Sequence, residues 1–294
     1  MSWAKLMQTK QETDMRLLTQ TMPDDFDLVI LGDDHEGARA QYTKGLDKVI
    51  KWIGAKPNRF FVQMGDEIEA RCIDHPYYDP KTSKMATPLE QIQVVEDRYG
   101  PIADRCVAWL YGNHPASLSR FGNLTEMLCG NLGIPYGTTT AIVQFNDSKG
   151  KQIFKGFFWH PFRLVVNSSA QDYEHQLNQM RLKIKRAMRE KASDCLLMVC
   201  GHIHKLLLVP PAEKLIMRSG ADGLKQAYLK QGDGRADYIE PDRRWYGSSG
   251  SFLKTYLEGA DTYSEKAGYN PVEIGYLVAH VKDREFVGMD RVVI

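Results

Sequence analysis

Five segments of the chain place metal-competent side chains directly after short apolar runs. In chain order they are Gly32-Asp33-Asp34-His35, Gly65-Asp66-Glu67-Ile68-Glu69, Gly112-Asn113-His114, Trp159-His160-Pro161 and Gly201-His202-Ile203-His204. Five of the eight histidines of the chain lie in these segments. Carboxylate, amide and imidazole ligands without thiolate suit Mn²⁺, Fe or Zn²⁺, and they are typical of a catalytic rather than a structural metal site.

The spacing within the segments brings ligand-type side chains together in pairs. Residues i and i+2 of an extended backbone point to one side, so Asp33 is expected beside His35 and His202 beside His204. Seven side chains have ligand chemistry: Asp33, His35, Asp66, Asn113, His160, His202 and His204. Seven ligands are too many for one ion and suit two ions that share a carboxylate. Any one of these residues alone is explained by turn chemistry or solvation, but the whole set is not.

The apolar patterns predict the elements that must position these segments. Strands are expected over 26–31, 59–64, 106–111, 139–146, 152–159, 195–200, 205–209, 214–218, 274–281 and 285–293. Helices are expected over 3–20, 44–53, 87–99 and 170–191. The early order of strand, helix, strand, helix, strand implies parallel strands in an α/β core. Such sheets bind ligands at the carboxyl ends of their strands, where the five segments lie.

The composition is that of a globular protein and excludes several classes. Of 294 residues, 43% are hydrophobic and 26% are charged, and 38 basic against 37 acidic residues leave a net charge of +1. No global basic field therefore attracts nucleic acid or a membrane. The longest apolar runs are strand-sized, and the first residues lack the apolar core of a signal peptide. Five scattered cysteines without a CxxC pair indicate a reducing cytoplasm.

We expect one large domain with additions at both ends. The predicted parts are an N-terminal helical extension over 1–22, a core over 23–220, a cap or insert over 221–270, and a closing β-hairpin of the core over 271–294.

The motif order D-x-H, G-D-x-x-E, G-N-H, H-P, G-H-x-H resembles the calcineurin-like metallophosphoesterase superfamily. The resemblance runs from Asp33 to His204 and fills every metal-ligand position. It implies a four-layer α/β/β/α sandwich with a two-metal site between the sheet edges. Residues 247–269 resemble phage and prophage phosphoesterases. Pro115 stands where many members of the superfamily have Asp or Glu, which removes one polar group from that loop.

The resemblance implies a role for each site residue. The first metal ion would take Asp33, His35 and His204, and the second would take Asn113, His160 and His202. Asp66 would bridge the two ions. His114 would be the non-ligand catalytic histidine beside the leaving oxygen, and Glu69 would be the acidic residue that orients it. His114 and His160 each precede a proline, which predicts extended backbone at both.

The implied activity is hydrolysis of a phosphate ester by metal-activated water, without a protein nucleophile. We favour a phosphodiesterase or nuclease that acts on nucleotide-type phosphodiesters with two divalent ions. Mn²⁺ is the favoured ion, with Fe and Zn²⁺ as alternatives. A phosphomonoesterase acting on a small metabolite or nucleotide, and a non-catalytic scaffold on the same fold, are the alternative functions.

Substrate contacts are expected from residues beside the motifs. An aromatic and basic insert over 72–88 holds Tyr77 and Tyr78, and Arg163 follows His160. A polar surface loop with ordinary aromatic residues explains the insert equally well, and the basic helix after 170 is expected to be a solvated face. The expected partner is therefore a phosphate-ester substrate, as a nucleotide or nucleic acid, and not a membrane. The oligomeric state is left open.

Overall fold

The computed structural model of the chain describes residues 16–76, 78–221, 223–260 and 262–294. The strands in this part of the chain are β1 (Leu17–Thr21), β2 (Phe26–Leu31), β3 (Arg59–Gln63), β4 (Cys106–Trp109), β5 (Thr140–Asn146), β6 (Gln152–Trp159), β7 (Leu197–Cys200), β8 (Leu206–Val209), β9 (Leu215–Gly220), β10 (Gly223–Tyr228), β11 (Trp245–Ser249), β12 (Gly275–Lys282) and β13 (Glu285–Val293). The α-helices are α1 (Thr43–Gly54), α2 (Pro88–Tyr99), α3 (Asn113–Ala116), α4 (Leu124–Leu132), α5 (Tyr173–Met188) and α6 (Tyr263–Lys266). Short 3₁₀ turns occupy Gly100–Arg105, Ser119–Phe121 and Pro241–Arg243.

The described strands form two large sheets and one separate ribbon. The first sheet has the strand order β1-β5-β6-β7-β11-β8, and the second has the order β13-β12-β2-β3-β4. In the second sheet β2, β3 and β4 run parallel, and β12 pairs antiparallel with both β2 and β13. β9 and β10 pair only with each other. The two large sheets therefore each contain parallel strands whose carboxyl ends can hold a site.

Three apolar cores divide the molecule into four layers. Alternate residues of β2 point to opposite faces: Phe26 and Leu28 pack against the first sheet, whereas Val29 packs against helices. The core between the sheets includes Phe26, Leu28, Val62, Phe145, Phe154 and Leu197. The outer core of the second sheet joins it to α1, α2 and α4, and the outer core of the first sheet joins it to α5. This order confirms the expected α/β/β/α sandwich.

Local sequence explains where the main helices begin and which face they bury. Thr87 caps α2 by accepting a hydrogen bond from the Glu90 N–H, the Glu90 side chain accepts one in return, and Pro88 opens the first turn. In α1, Leu46, Val49, Ile50 and Ile53 recur at helical spacing and are buried against β2 and β3. Among the described residues, no helix combines the length and apolar character needed to cross a bilayer.

The predicted helix over 3–20 is wrong where it can be compared. Residues 1–15 lie outside the described residues, but Leu17–Thr21 form β1, which runs parallel to β5. The exposure of these residues alternates with a period of two, as in an edge strand with one face against a neighbour. The sequence Leu-Leu-Thr-Gln-Thr does not itself alternate apolar and polar residues, so pairing with β5 decides this strand.

The predicted cap over 221–270 contributes to the core. Its strand β11 lies between β7 and β8 in the first sheet, parallel to β7 and antiparallel to β8. The closing hairpin is present as β12 and β13, which pair antiparallel at the edge of the second sheet. The remaining domain boundaries stay predictions.

Candidate metal centre

The first two motif loops are joined to each other through their backbones. The parallel pairing of β2 and β3 continues past the strand ends, because Asp33 N donates to Gly65 O at 2.9 Å and His35 N donates to Asp66 O at 3.0 Å. Glu36 N donates to Glu67 O at 2.9 Å in the same register. The two loops therefore stay hydrogen-bonded to each other, and their acidic side chains lie close together between the sheets.

The ligand-type residues lie in an uncommon backbone conformation. Five of them have positive φ: Asp33 (53°), His35 (51°), Asp66 (53°), His202 (73°) and His204 (54°). The extended backbone expected for the i, i+2 pairs was therefore wrong, although both pairs still reach the site. Left-handed backbone at a non-glycine residue costs about 1–3 kcal/mol and persists only where surrounding contacts enforce it.

Two glycines allow the loops to approach each other closely. A Cβ at Gly112 would lie 2.1 Å from Asp66 Oδ1, and a Cβ at Gly65 would lie 2.7 Å from His160 Nδ1. Gly65 also has a φ of +96°, which side chains rarely adopt. Neither position has room for a side chain while the ligand-type residues stay in place.

One group of ligand atoms consists of Asp33, His35 and His204. His35 Nε2 lies 3.0 Å from His204 Nε2, and His204 Nε2 lies 3.3 Å from Asp33 Oδ1. His35 Nδ1 donates to Glu69 Oε2 at 2.9 Å, so the neutral ring carries its lone pair on Nε2. Two imidazole nitrogens and a carboxylate oxygen then converge within 4.8 Å of one another, as a bound cation requires.

A second group consists of Asp66, His160, His202 and Asn113. His160 Nδ1 donates to the Met64 carbonyl at 2.6 Å, which leaves an unprotonated Nε2 on the neutral ring. That nitrogen lies 3.3 Å from Asp66 Oδ2 and 3.1 Å from Asn113 Oδ1. His202 Nδ1 lies 2.6 Å from Asn113 Oδ1.

This donor set fits a cation. Asp66 Oδ2 is buried and has no hydrogen-bond partner in the part of the chain that the structure describes. An unprotonated imidazole nitrogen, a carboxylate oxygen and an amide oxygen are all acceptors, and acceptors held this close need positive charge between them. Nitrogen and oxygen ligands of this kind suit Mn²⁺, Fe and Zn²⁺.

The pKa shifts of the site residues show that the site favours a bound positive charge. Burial raises the pKa of the Asp66 carboxyl, but His160 and His114 outweigh burial and hold that pKa well below its ordinary value. Burial lowers the pKa of His160, but Asp66 and Asp33 outweigh it and raise that pKa to about 9. Burial and the neighbouring His160 lower the pKa of His202 to about 4. A proton on His160 therefore substitutes for a bound cation, and the two compete.

His114 lies beside this cluster in a short helix and not in extended backbone. It is the second residue of α3, and Pro115 is tolerated there because the first turn of a helix has no acceptor for its N–H groups. The backbone N–H of His114 donates to Asp66 Oδ1 at 2.8 Å. The side chain is 17% exposed, so the site can reach solvent or substrate through it.

Glu69 contacts two histidines, His35 through its carboxylate and His114 through its backbone carbonyl. Its carboxylate accepts from His35 Nδ1, whereas His114 Nδ1 donates to the Glu69 backbone carbonyl at 2.7 Å and lies 3.7 Å from the carboxylate. Burial raises the pKa of Glu69, but His114 and His35 outweigh burial and lower it to about 2. His35, Glu69 and His114 are close enough to hold an ion of their own, but here donors and acceptors already match.

Replacing Glu69 is expected to weaken the first group of ligands. Glu69→Ala removes the acceptor that fixes the His35 ring and should reduce cation affinity about 10–100-fold, with Glu69→Gln in between. Calorimetric titration with Mn²⁺ measures the change. Glu213→Ala, on an exposed loop, is the control. An unchanged affinity in Glu69→Ala would contradict this role.

The residues expected to bind substrate stay predictions. Arg163 is exposed and Tyr78 is half-buried. Tyr77 lies outside the described residues. Lys84 of the same insert donates through Nζ to Gln41 Oε1 at 3.1 Å, so it packs the insert onto the core.

Sequence reasoning missed two buried acids, each directly after a ligand-type aspartate. Asp34 Oδ2 accepts from Tyr99 Oη at 2.6 Å and from Gln63 Nε2 at 2.9 Å. Glu67 accepts from the Thr125 hydroxyl. Burial raises the pKa of both carboxyls to about 7. The doubled acids in G-D-D-H and G-D-E were the available signal for side chains that anchor the loops to α2 and α4.

An arginine near the site was also missed. Arg71 Nε donates to Glu69 Oε1 at 3.1 Å, so its guanidinium lies beside the carboxylate that holds His35. Arg71 follows Glu69 by two residues.

Comparisons with solved structures find similar chains at 12–14% identity. The chain is similar to a metallophosphoesterase from Sphaerobacter thermophilus, with 14% identity, a TM-score of 0.36, and coverage of 91% of this chain and 88% of that one. It is similar to the calcineurin-like phosphoesterase YfkN from Bacillus subtilis, with 14% identity, a TM-score of 0.36, and coverage of 92% and 90%. For the NAD nucleotidase of Haemophilus influenzae the identity is 12% and the TM-score 0.37, and 92% of this chain spans 50% of that one. No protein-family model and no curated protein matches the chain.

The motif segments and the order of the layers both resemble the same superfamily. The motif order predicted a two-sheet sandwich with ligands between the sheet edges, and the described residues form that sandwich and bring those ligands together. In motif order, layer order and site composition, the chain is therefore similar to the calcineurin-like metallophosphoesterases.

Proposed function

We propose that the protein is a metal-dependent phosphoesterase that hydrolyses nucleotide-type phosphodiesters with two divalent cations. The observation that carries the proposal is the buried Asp66 Oδ2, which has no hydrogen-bond partner within 3.5 Å of good geometry among the described residues and lies 3.3 Å from His160 Nε2. Mn²⁺ is the favoured cation, with Fe and Zn²⁺ as alternatives, because the ligands are imidazole, carboxylate and amide groups.

In this proposal each group of ligands holds one cation. Asp33, His35 and His204 hold the first, and Asn113, His160 and His202 hold the second. Asp66 serves both, which is supported by the action of His160 and of His35 on the pKa of its carboxyl.

Bound divalent cations would supply a water-derived nucleophile near neutral pH and would neutralise the phosphate oxygens. The residues of the chain then orient the ester and move one proton. The Glu69 carbonyl accepts the Nδ1 proton of His114, so Nε2 is the nitrogen left to face the substrate. The doubly protonated imidazolium would give its Nε2 proton to the leaving oxygen and become the neutral ring that keeps its proton on Nδ1. The backbone N–H of His114 holds Asp66, which links the acid to the ligand set.

The charges around the site favour a diester over a monoester. A diester carries one negative charge on its phosphate and a monoester carries about two at neutral pH, so a monoesterase benefits from an additional cation. Arg71 is the arginine beside the site that would neutralise the second negative charge of a monoester, but its ion pair with Glu69 offsets its own positive charge. A monoesterase remains the second candidate, and Arg71 is the residue that favours it.

We expect bis-p-nitrophenyl phosphate to be hydrolysed with a higher kcat/KM than p-nitrophenyl phosphate in the presence of Mn²⁺. The two esters share a leaving group, so the ratio reports the charge that the site accepts. Asp66→Asn protein, purified in the same way, gives the background. A preference for the monoester of about tenfold or more would reject the diesterase proposal in favour of the monoesterase.

A further inference from the structure

A loop directly after His160 carries an exposed aromatic ring and is anchored on both sides of it. His160 is fully buried and Val166 is 2% exposed, whereas Phe162 between them is 42% exposed. Lys205 Nζ donates to the Val166 carbonyl at 2.5 Å and to Asn167 Oδ1 at 2.8 Å, which ties the far end of the loop to the segment after His204. The ring therefore stands on a fixed loop.

The ring of Phe162 lies next to the metal-centre ligands. Its centroid is 6.2 Å from that of the His160 ring, in an edge-to-face arrangement with an interplanar angle of 74°. The His160 ring is itself fixed by its bond to the Met64 carbonyl, and its Nε2 faces Asp66 and Asn113. Only the His160 ring thus separates Phe162 from the atoms that would surround the phosphate.

Folding alone gives little reason to keep an aromatic face exposed here. A phenylalanine gains stability from the surface that it buries, and much of this ring stays in water. An aromatic ring on an anchored loop loses little conformational entropy when a ligand covers it. Aromatic side chains stack on nucleobases without requiring a particular base, because every base has a π-face.

We propose that Phe162 is a specificity-determining residue that stacks on the nucleobase next to the scissile phosphate. This inference rests on the function proposed above and adds the part of the substrate that the metal ligands do not contact.

Two diesters with the same leaving group test the inference: thymidine 5′-p-nitrophenyl phosphate, which has a base, and methyl p-nitrophenyl phosphate, which has none. Phe162→Ala should lower kcat/KM for the thymidine ester about five- to hundredfold, mainly through KM, and leave the methyl ester unchanged. Phe162→Tyr should retain the wild-type values, and Phe162→Leu, which keeps apolar area without the ring, should resemble alanine. Tyr173→Ala removes another exposed aromatic ring and is the control.

The outcomes separate this inference from the proposed function. If the wild-type protein hydrolyses neither diester with Mn²⁺, the proposed function fails and the inference fails with it. If both diesters are hydrolysed and Phe162→Ala affects them equally or not at all, the inference alone is overturned. A loss of bound Mn²⁺ in Phe162→Ala, measured by metal analysis, would make the residue a support for His160 and would also overturn it.

Discussion

Asp66→Asn is expected to weaken both bound cations together and to remove activity with them. The substitution keeps the size of the side chain and its acceptor for the His114 N–H, but it removes the negative charge that both ligand groups face. Loss of one partner from a buried charge pair costs about 3–5 kcal/mol, which corresponds to about 10²–10⁴-fold in cation affinity. Metal analysis after dialysis against dilute Mn²⁺ should find both equivalents reduced.

Glu67→Gln is the matched control for this experiment. Glu67 is the next residue and is equally buried, but its carboxyl accepts a hydrogen bond from the Thr125 hydroxyl on α4. We expect it to keep its cations. Loss of only one equivalent in Asp66→Asn would contradict a shared carboxylate, and a wild-type stoichiometry would contradict Asp66 as a ligand.

His114→Asn is expected to lower kcat by about 10²–10⁴, the usual contribution of a general acid, while the cation content stays at the wild-type level. Its Nδ1 is bonded to the Glu69 carbonyl and its backbone N–H to Asp66, and the substitution removes the first bond and keeps the second. The ligand atoms therefore stay in place while the proton donor is lost. Single-turnover kinetics and metal analysis of the same preparation measure both quantities.

His175→Asn provides the comparison, because His175 is an exposed histidine on α5. It should leave kcat and cation content unchanged. If His114→Asn released a cation, His114 would be a ligand, and the group formed by His35, Glu69 and His114 would have to be considered as a metal site.

The ligand-type residues could be recognised from sequence because their chemistry is local to each segment, and their role as metal ligands stays a prediction. Asp33 and Asp66 each follow a glycine at the end of an apolar run, and this placement needs no knowledge of the partner strand. Their backbone conformation could not be predicted in the same way. It depends on hydrogen bonds between loops that are distant in sequence, such as those that join Asp33 to Gly65 and His35 to Asp66.

The contacts of side chains around the site were predicted less well for the same reason. Glu69 was expected to orient His114, and the folded loops give that contact to its backbone carbonyl and the contact with His35 to its carboxylate. The bond from Tyr99 to Asp34 links a helix to a loop across a long stretch of chain. No periodicity within either segment records that pairing, so only the doubled acid indicated it.

The strand order of the two sheets affects how the chain can fold during its synthesis. β7 pairs on one side with β11, and β2 pairs on one side with β12. β11 and β12 therefore leave the ribosome long after the strands with which they pair. At about 5–20 residues per second, β7 keeps one open edge for about 2–9 s and β2 for about 12–50 s before the partner strand is synthesised. Open apolar edges pair with other nascent chains. The yield of soluble protein therefore depends on how well chaperones cover these strand edges. Slower synthesis lengthens the time for which the edges stay open.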